Sequence, residues 1–403
     1  MTALADQAWL TSEATRAVIA ALEAEGGPGC VRFVGGCVRN ALMGQGVDDI
    51  DLATRLTPEV SMAALKAARF KVIPTGLAHG TVTAVSKGAP YEITTLRRDV
   101  STDGRNATVA FTEDWAEDAS RRDFRLNALY ADPDGAIFDP TGEGVADAAA
   151  GRIVFVGEPQ TRIREDYLRI LRFFRFFAWY GRGEPDAAGL AACAALAEGM
   201  TRLSAERVSK ELLKLLKAPD PRPAVRAMAA SGVLVQVLPE AESLEPFEAM
   251  VGISADPLLR LSALWPADPG RIETAARGLR LSNPDRLRLM AAAGEALDLD
   301  MAEPQARAAL YRLGRETFAD RVQRAAAVEG RSASEVAHWL RLAETWTIPR
   351  LPVGGRQVAQ AGLAAGPDTG RALAAFEAGW VADDFPTEGH VERLRAAVEA
   401  LKA

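Results

Sequence analysis

The sequence predicts an α+β domain followed by an all-helical arm. Three observations carry that reading. Short apolar, strand-like runs alternate with short helices up to about residue 150. Beyond Thr161 the pattern is helical almost throughout and rich in Ala, Leu and Arg. Within the first part, the segment GGCVRNALMGQGVDDIDLAT, from Gly35 to Thr54, joins a glycine turn and an arginine to two aspartates one residue apart. At 403 residues the chain exceeds one compact core of the usual size, so two to four domains are expected.

In chain order, Val31 to Val34 is a mostly apolar run expected as a buried strand. Gly35 and Gly36 then form a tight turn, and Cys37 to Met43 a helix whose N-terminal amides face an anion. Arg39 falls in its first turns, near phosphate. Asp49 and Asp51 are placed on a second strand, where period-two alternation turns both carboxylates to one face and packs Ile50 and Leu52 on the other. Two converging carboxylates suit paired Mg2+ ions and phosphoryl transfer. An acidic pair or a glycine turn alone is common; the ordered combination carries the inference.

Further strands are expected at Phe70 to Ile73, Thr81 to Val85, Tyr91 to Leu96, Asn127 to Ala131 and Ala136 to Phe138. Arg97 to Arg121 reads as a long polar loop with Asp103-Gly104 as a turn, and loops of that length are uncommon unless mobile or functional. It ends in RRDFRLNALY, residues 121 to 130. There Arg122 can contact phosphate or sugar and Asp123 a ribose hydroxyl; the pair serves equally well as a structural salt bridge.

The segment REDYLRILRFFRFF, residues 164 to 177, is read as one helix on which Asp166, Arg169, Arg172 and Arg175 recur every third residue along one polar side. An aspartate accepts from an exocyclic amine and an arginine donates to ring acceptors, so such a pair can read a base edge without a template strand. The plainer alternative is an Asp166–Arg169 ion pair on a solvated helix. A second basic stripe, Arg207, Lys210, Lys214 and Lys217, follows a Ser204 N-cap, and its plainer alternative is likewise a solvated face.

Composition narrows the class. Hydrophobic content of 48% and charged content of 25% are ordinary for a globular protein. A net charge of −7 argues against an indiscriminately basic nucleic-acid coat, although Thr161 to Gly183 is locally rich in arginine. Three cysteines without a CxxC pair, and three histidines, argue against zinc and for oxygen ligands. The start MTALADQAWL lacks the features of a signal peptide, and no apolar run is long enough to span a membrane, so a cytoplasmic location is expected. Oligomeric state is left open.

Together and in this order, VGGCVRNALMG, DDIDLAT, TGLAHGTVTA, YEITTLRRD, RRDFRLNALY, FDPTGEGVADAAAGRIVFVG, REDYLRILRFFRF and LSAERVSKELLKLL resemble the class II tRNA nucleotidyltransferases. That family comprises bacterial CCA-adding enzymes and related poly(A) polymerases. The likeness covers roughly residues 30 to 240, with a weaker echo at residues 351 to 373. It implies a polymerase-β-like head (1–150), then a helical neck for base selection and RNA binding (151–240), a helical body (241–345) and a tRNA-binding tail (346–403). It also implies template-independent addition of CCA to tRNA from CTP and ATP, with two Mg2+ ions and release of pyrophosphate. By motif, Asp49 and Asp51 would bind metal, and Gly35, Gly36 and Arg39 the triphosphate. Arg122, Asp123 and Asn127 would meet phosphate and ribose. Asp166 and Arg169 would select the base, with Arg172 and Arg175 supporting phosphates. Glu92 is a guess at a third carboxylate, and the 97–121 loop would govern the switch from C to A addition. Two departures stand out: Asn40 where aspartate is usual, and Tyr167 where proline is frequent, a change expected to sit easily inside a helix. A poly(A) polymerase, a partial CC- or A-adding enzyme and a non-catalytic RNA-binding relic are the alternatives.

Overall fold

The computed structural model describes residues 4–103, 106–364 and 366–402. Two compact units result, Met1–Pro239 and Glu240–Ala403. Among the described residues the first contains nine strands: β1 Val31–Val34, β2 Ile50–Thr54, β3 Lys71–Gly76, β4 Thr81–Ser86, β5 Ala89–Thr95, β6 Arg97–Asp103, β7 Asn106–Phe111, β8 Tyr130–Ala131 and β9 Ile137–Phe138. Seven form one mixed sheet in the order β3-β4-β5-β2-β1-β8-β9. β1 lies antiparallel to β2, whereas β2 and β5 run parallel with Asp51 opposite Glu92. β1 occupies an interior position because Val31 and Phe33 are wholly buried, as a near-continuous apolar strand requires.

Four expectations are corrected. The stretch 97–121 is no open loop: β6 and β7 pair as an antiparallel hairpin, and the helix Trp115–Ser120 follows. Its polar composition hid β-branched Val100, Thr102, Thr108 and Val109 spaced along two strand-length runs; the expected turn at Asp103-Gly104 lies partly outside the described residues. The expected strand Asn127–Ala131 keeps only Tyr130–Ala131, because Arg125–Asn127 closes into a single 3-10 turn. Asp49 stands just ahead of β2 and is exposed, while Asp51 lies within it, half-buried.

The fourth concerns the arginine-rich helix, which is interrupted. Pro159–Glu165 ends at Asp166, whose backbone is extended (φ −153°, ψ 108°), and a new helix runs from Leu168 to Tyr180. Tyr167 is therefore not interior to a helix but stands at its start with φ −61°. Proline fixes φ near that value and fits the opening of a helix, which explains why either residue suits the position. Under this helix Phe173 packs on Phe124 and stacks at 5.6 Å on Phe155, fastening it to the α+β layer.

The second unit is helical, from Glu245–Ile253 to His390–Lys402. Several of its helices open with proline in the first turn, at Pro257, Pro269 and Pro367, where the missing N–H costs nothing. One apolar cluster gathers around Phe318, Val322 and Trp339, another around Phe376, Trp380 and Leu394. Among the described residues no helix is long and apolar enough to cross a membrane.

Candidate active site

The cleft begins at Gly35. Its φ of +69° and ψ of −116° suit glycine alone, and its amide donates to the Leu129 carbonyl (3.1 Å) as the chain turns into the helix Gly36–Leu42. Arg39 leaves that helix into a buried position and is held on every side. It donates to Asn127 Oδ1, to Asn40 Oδ1 (2.8 Å) and to the Tyr180 hydroxyl (2.7 Å), and its guanidinium lies 4.1 Å from the Tyr180 ring centre. Burial lowers its pKa from the usual arginine value. Asn40 thus serves as a neutral acceptor for Arg39, and its own amide donates to Gly46 O (2.9 Å); a negative charge at 40 is not needed to hold the arginine.

Asn127 passes the chain of bonds on to Asp123, donating to Oδ1 (3.0 Å). Phe124 N also donates to Oδ1, and Arg172 donates twice to Oδ2. These four donors fill the four acceptor positions of a carboxylate, so a ribose hydroxyl at Asp123 would have to displace or share one. Burial alone would raise this carboxyl, but the Arg172 charge and the converging bonds hold it at about 2.

Arg122 is organised by a residue the sequence reading missed, Asp118. That carboxylate is 1% exposed. It accepts from Arg122 Nη2 (3.0 Å), Arg121 Nε (2.9 Å), the Tyr130 hydroxyl (2.6 Å) and the Arg97 amide (3.2 Å). Burial opposes its ionisation, yet Arg122 and Arg121 hold its pKa at about 2. The clue lay in the sequence: in DASRR, Asp118 stands three and four residues before two arginines at the end of a short helix. Thus oriented, Arg122 Nη1 comes within 3.6 Å of the point a Cβ on Gly35 would occupy.

Across the cleft the interrupted helix presents Asp166 and Arg169. Asp166 Oδ1 accepts from Leu168 N (3.1 Å), starting the helix, and Oδ2 accepts from Arg207 Nη2 (2.7 Å), so its partner is Arg207 and not Arg169. Arg169 donates to Glu165 and to the Arg162 carbonyl (2.6 Å). Each Asp166 oxygen keeps a second lone pair for a further donor.

Gly35, Gly36, Arg39, Asp51, Arg122, Asp123, Asn127, Asp166, Arg169 and Arg172 all border one cavity of ≈ 480 Å³, joined by Arg121 and Arg207. Asp49, Glu92 and Arg175 are not on its wall; Arg175 pairs with Glu211 (2.7 Å) beside Phe176. The Asp51 carboxyl is pushed up to about 6, first by burial and then by the charges of Glu92 and Asp49. Crowded hard-oxygen donors whose mutual repulsion a cation would relieve fit Mg2+ in chemistry. Among the described residues no three His, Cys, Asp or Glu side chains are gathered tightly enough to hold a metal by themselves. Mg2+ commonly takes one or two carboxylates and fills its shell with phosphate and water.

Comparison with known proteins gives the family. Residues 31–154 match the family described as the Poly A polymerase head domain, and 185–244 that described as the probable RNA and SrmB-binding site of polymerase A. The mitochondrial CCA tRNA nucleotidyltransferase 1 of Mus musculus is 32% identical over 375 residues, covering 89% of this chain and 84% of that protein. The CCA-adding enzyme of Levilactobacillus brevis is 33% identical over 371 residues, with 88% and 90% covered. Among solved structures, the Bacillus stearothermophilus CCA-adding enzyme in complex with CTP superposes with a TM-score of 0.76 at 27% identity, covering 97% of this chain and 98% of that one. With identity above 30% to both relatives over most of their length, the chain belongs to the class II tRNA nucleotidyltransferases, the family of the CCA-adding enzymes.

Proposed function

We propose that this enzyme adds CCA to the 3′ end of tRNA from CTP and ATP without a nucleic-acid template. The observation that carries the reading is the single cleft. Its ≈ 480 Å³ suits one nucleotide, and both a phosphate-binding wall and a base-reading wall face it. CTP and ATP share an edge pattern, an exocyclic amine beside a ring-nitrogen acceptor, whereas UTP and GTP present a carbonyl beside an N–H. Asp166 as acceptor and Arg169 as donor match the first pattern and oppose the second. That the relative from B. stearothermophilus was solved with CTP, and that relatives are named for CCA addition, supports the same assignment.

In this reading Gly35, Gly36, Arg39 and Arg122 hold the triphosphate, with Arg172 supporting it from the helical side; Arg175, off the cleft wall and paired with Glu211, would act on it only indirectly. Asp123 and Asn127 keep Arg172 and Arg39 in place and lie beside the ribose. Asp49 and Asp51 would hold Mg2+, expected as two ions, and Glu92 is the candidate third carboxylate; when bound, such ions would lower the pKa of the attacking hydroxyl and neutralise charge at phosphorus. The tRNA 3′-oxygen forms its bond to the α-phosphorus in line with the departing β-phosphate oxygen, the hydroxyl proton is lost, and pyrophosphate leaves. We assign residues 1–150 to the head, 151–240 to the neck, 241–345 to the body and 346–403 to the tRNA-binding tail.

The test is extension of tRNA transcripts ending at the discriminator base, at C and at CC, with Mg2+ and CTP, ATP or both, read as product lengths on a gel. All three should grow to one fixed CCA end. Arrest after CC, a requirement for a CC end, or a long A ladder would replace the reading with a partial enzyme or a poly(A) polymerase.

A further inference from the structure

Arg324, in the second unit, is a buried cation that no carboxylate neutralises. It stands on the helix Arg315–Glu329 and is 5% exposed. Its Nη1 donates to the Ser262 carbonyl (2.6 Å) and its Nη2 to the Trp265 carbonyl (3.0 Å), at the end of the helix Pro257–Ser262. Those bonds use two of the five N–H groups of a guanidinium. Nε is buried and has no partner among the described residues. Burial lowers the pKa of Arg324 to about 10, with no neighbouring charge to offset it. A buried cation is costly unless an anion meets it.

The same helix face borders a cavity of ≈ 100 Å³ with Arg321, Arg324, Ala325 and Val328, spaced as i, i+3, i+4 and i+7, and most of the remaining wall is alanine. Arg321 brings a second guanidinium. Its Nε and Nη1 donate to the carbonyls of Ala291 (2.8 Å) and Glu295 (3.1 Å), and its Nη2 lies where a Cβ on Gly294 would collide with it. Glu329, the carboxylate on the wall among the described residues, is turned to Arg331 (2.7 Å). Capping helix ends accounts for the bonds that Arg321 and Arg324 make. It does not account for the free Nε or for the space that both side chains border.

We propose that this cavity is a binding site for a small aliphatic carboxylate, its oxygens on Arg324 and Arg321 and its alkyl end against Ala325 and Val328. The chemistry selects the class. Guanidinium N–H groups match carboxylate geometry, whereas a strongly hydrated phosphate would meet walls that are mostly methyl groups. The volume lies well below the roughly 300 Å³ at which sites for larger ligands begin, so it admits a chain of a few carbons and no nucleotide. Every residue on the wall belongs to the second unit, and the proposal is independent of the CCA-addition reading.

The experiment is saturation-transfer NMR of the full chain with sodium propionate, together with Tm in propionate, phosphate or chloride at equal ionic strength. Wild type should transfer saturation to the propionate methyl. At about ten times its Kd, propionate should raise Tm by about 3–6 °C over chloride. Val328→Glu changes a 61% exposed side chain one turn beyond Arg324 and supplies a tethered carboxylate. It should raise Tm without added propionate and abolish both propionate effects. Arg324→Gln, which keeps a donor and loses the charge, should lose the saturation signal too; where that protein fails to fold, Val328→Glu decides. Absence of saturation transfer in wild type overturns the proposal, and so does an undiminished signal in Val328→Glu. A gain of Tm in phosphate equal to that in propionate would show an unselective cation and overturn the assignment to carboxylates.

Discussion

Replacing Asp118 tests whether Arg122, proposed to bind phosphate, depends on a residue that does not line the cleft. Its carboxylate is 1% exposed and joins Arg121, Arg122 and Tyr130. Burial opposes ionisation, yet Arg122 and Arg121 hold the folded carboxyl below its unfolded value of 3.8, at about 2, so its charge contributes on the order of 2 kcal/mol at neutral pH. Asp118→Asn, which keeps the shape and loses the charge, should therefore cost about 2–3 kcal/mol. Asp118→Ala, which strands both arginines, should cost about 3–5 kcal/mol. A depressed carboxyl contributes fully above its unfolded value and loses that contribution as pH falls through 3.8 toward about 2. Urea unfolding monitored on the first unit at pH 7 and at pH 3 should show the gap between wild type and Asp118→Asn shrinking in acid. With Arg122 released, KM for CTP should rise about tenfold while tRNA affinity holds. Wild-type stability and wild-type KM in the Asn variant would show that Arg122 is positioned without Asp118 and refute the reasoning.

Other outcomes follow from the same geometry. Asp49→Ala and Asp51→Ala should each abolish nucleotide transfer and leave the circular dichroism spectrum unchanged, since neither side chain is fully buried; turnover at the normal rate by either would remove the carboxylates from the mechanism. Asp166→Asn or Arg169→Ala should reduce discrimination of CTP over UTP at least tenfold with little change in tRNA binding, measured as the ratio of kcat/KM values. Gly35→Ala meets a φ of +69° with ψ −116° and should destabilise by about 1–3 kcal/mol, lowering Tm and raising KM for CTP together.

The parts of the site legible in the sequence are those made by contiguous residues. The Val31–Val34 strand, the Gly35 turn and the acidic pair at 49 and 51 follow from local rules of burial, φ and alternation. The missed features depend on distant partners. Asp166 reads as one more position in a helical repeat until Arg207, 41 residues later, takes one oxygen and Leu168 N the other; only then is the helix interrupted. Asp118 looks like an ordinary surface acid until folding brings Tyr130 and the Arg97 amide to it. The hairpin at 97–111 was obscured because apolar alternation is the main strand signal, and this segment is polar.

Those distant partners also connect the hairpin to Arg169. Arg121 donates its Nε to the Arg97 carbonyl (3.1 Å) at the root of β6. The Arg121 carbonyl in turn accepts from Arg162 and, at 3.4 Å, from Arg169 Nη2. One residue, Arg121, thus links the hairpin root to Arg169, its side chain on one side and its carbonyl on the other. Under the proposed function the cleft would serve CTP and ATP in turn, and the two differ in how far the amine edge lies from the ribose. On that reading a small movement of Arg169, with Asp166 held by Leu168 N and Arg207, would accommodate the difference without a second base-reading site.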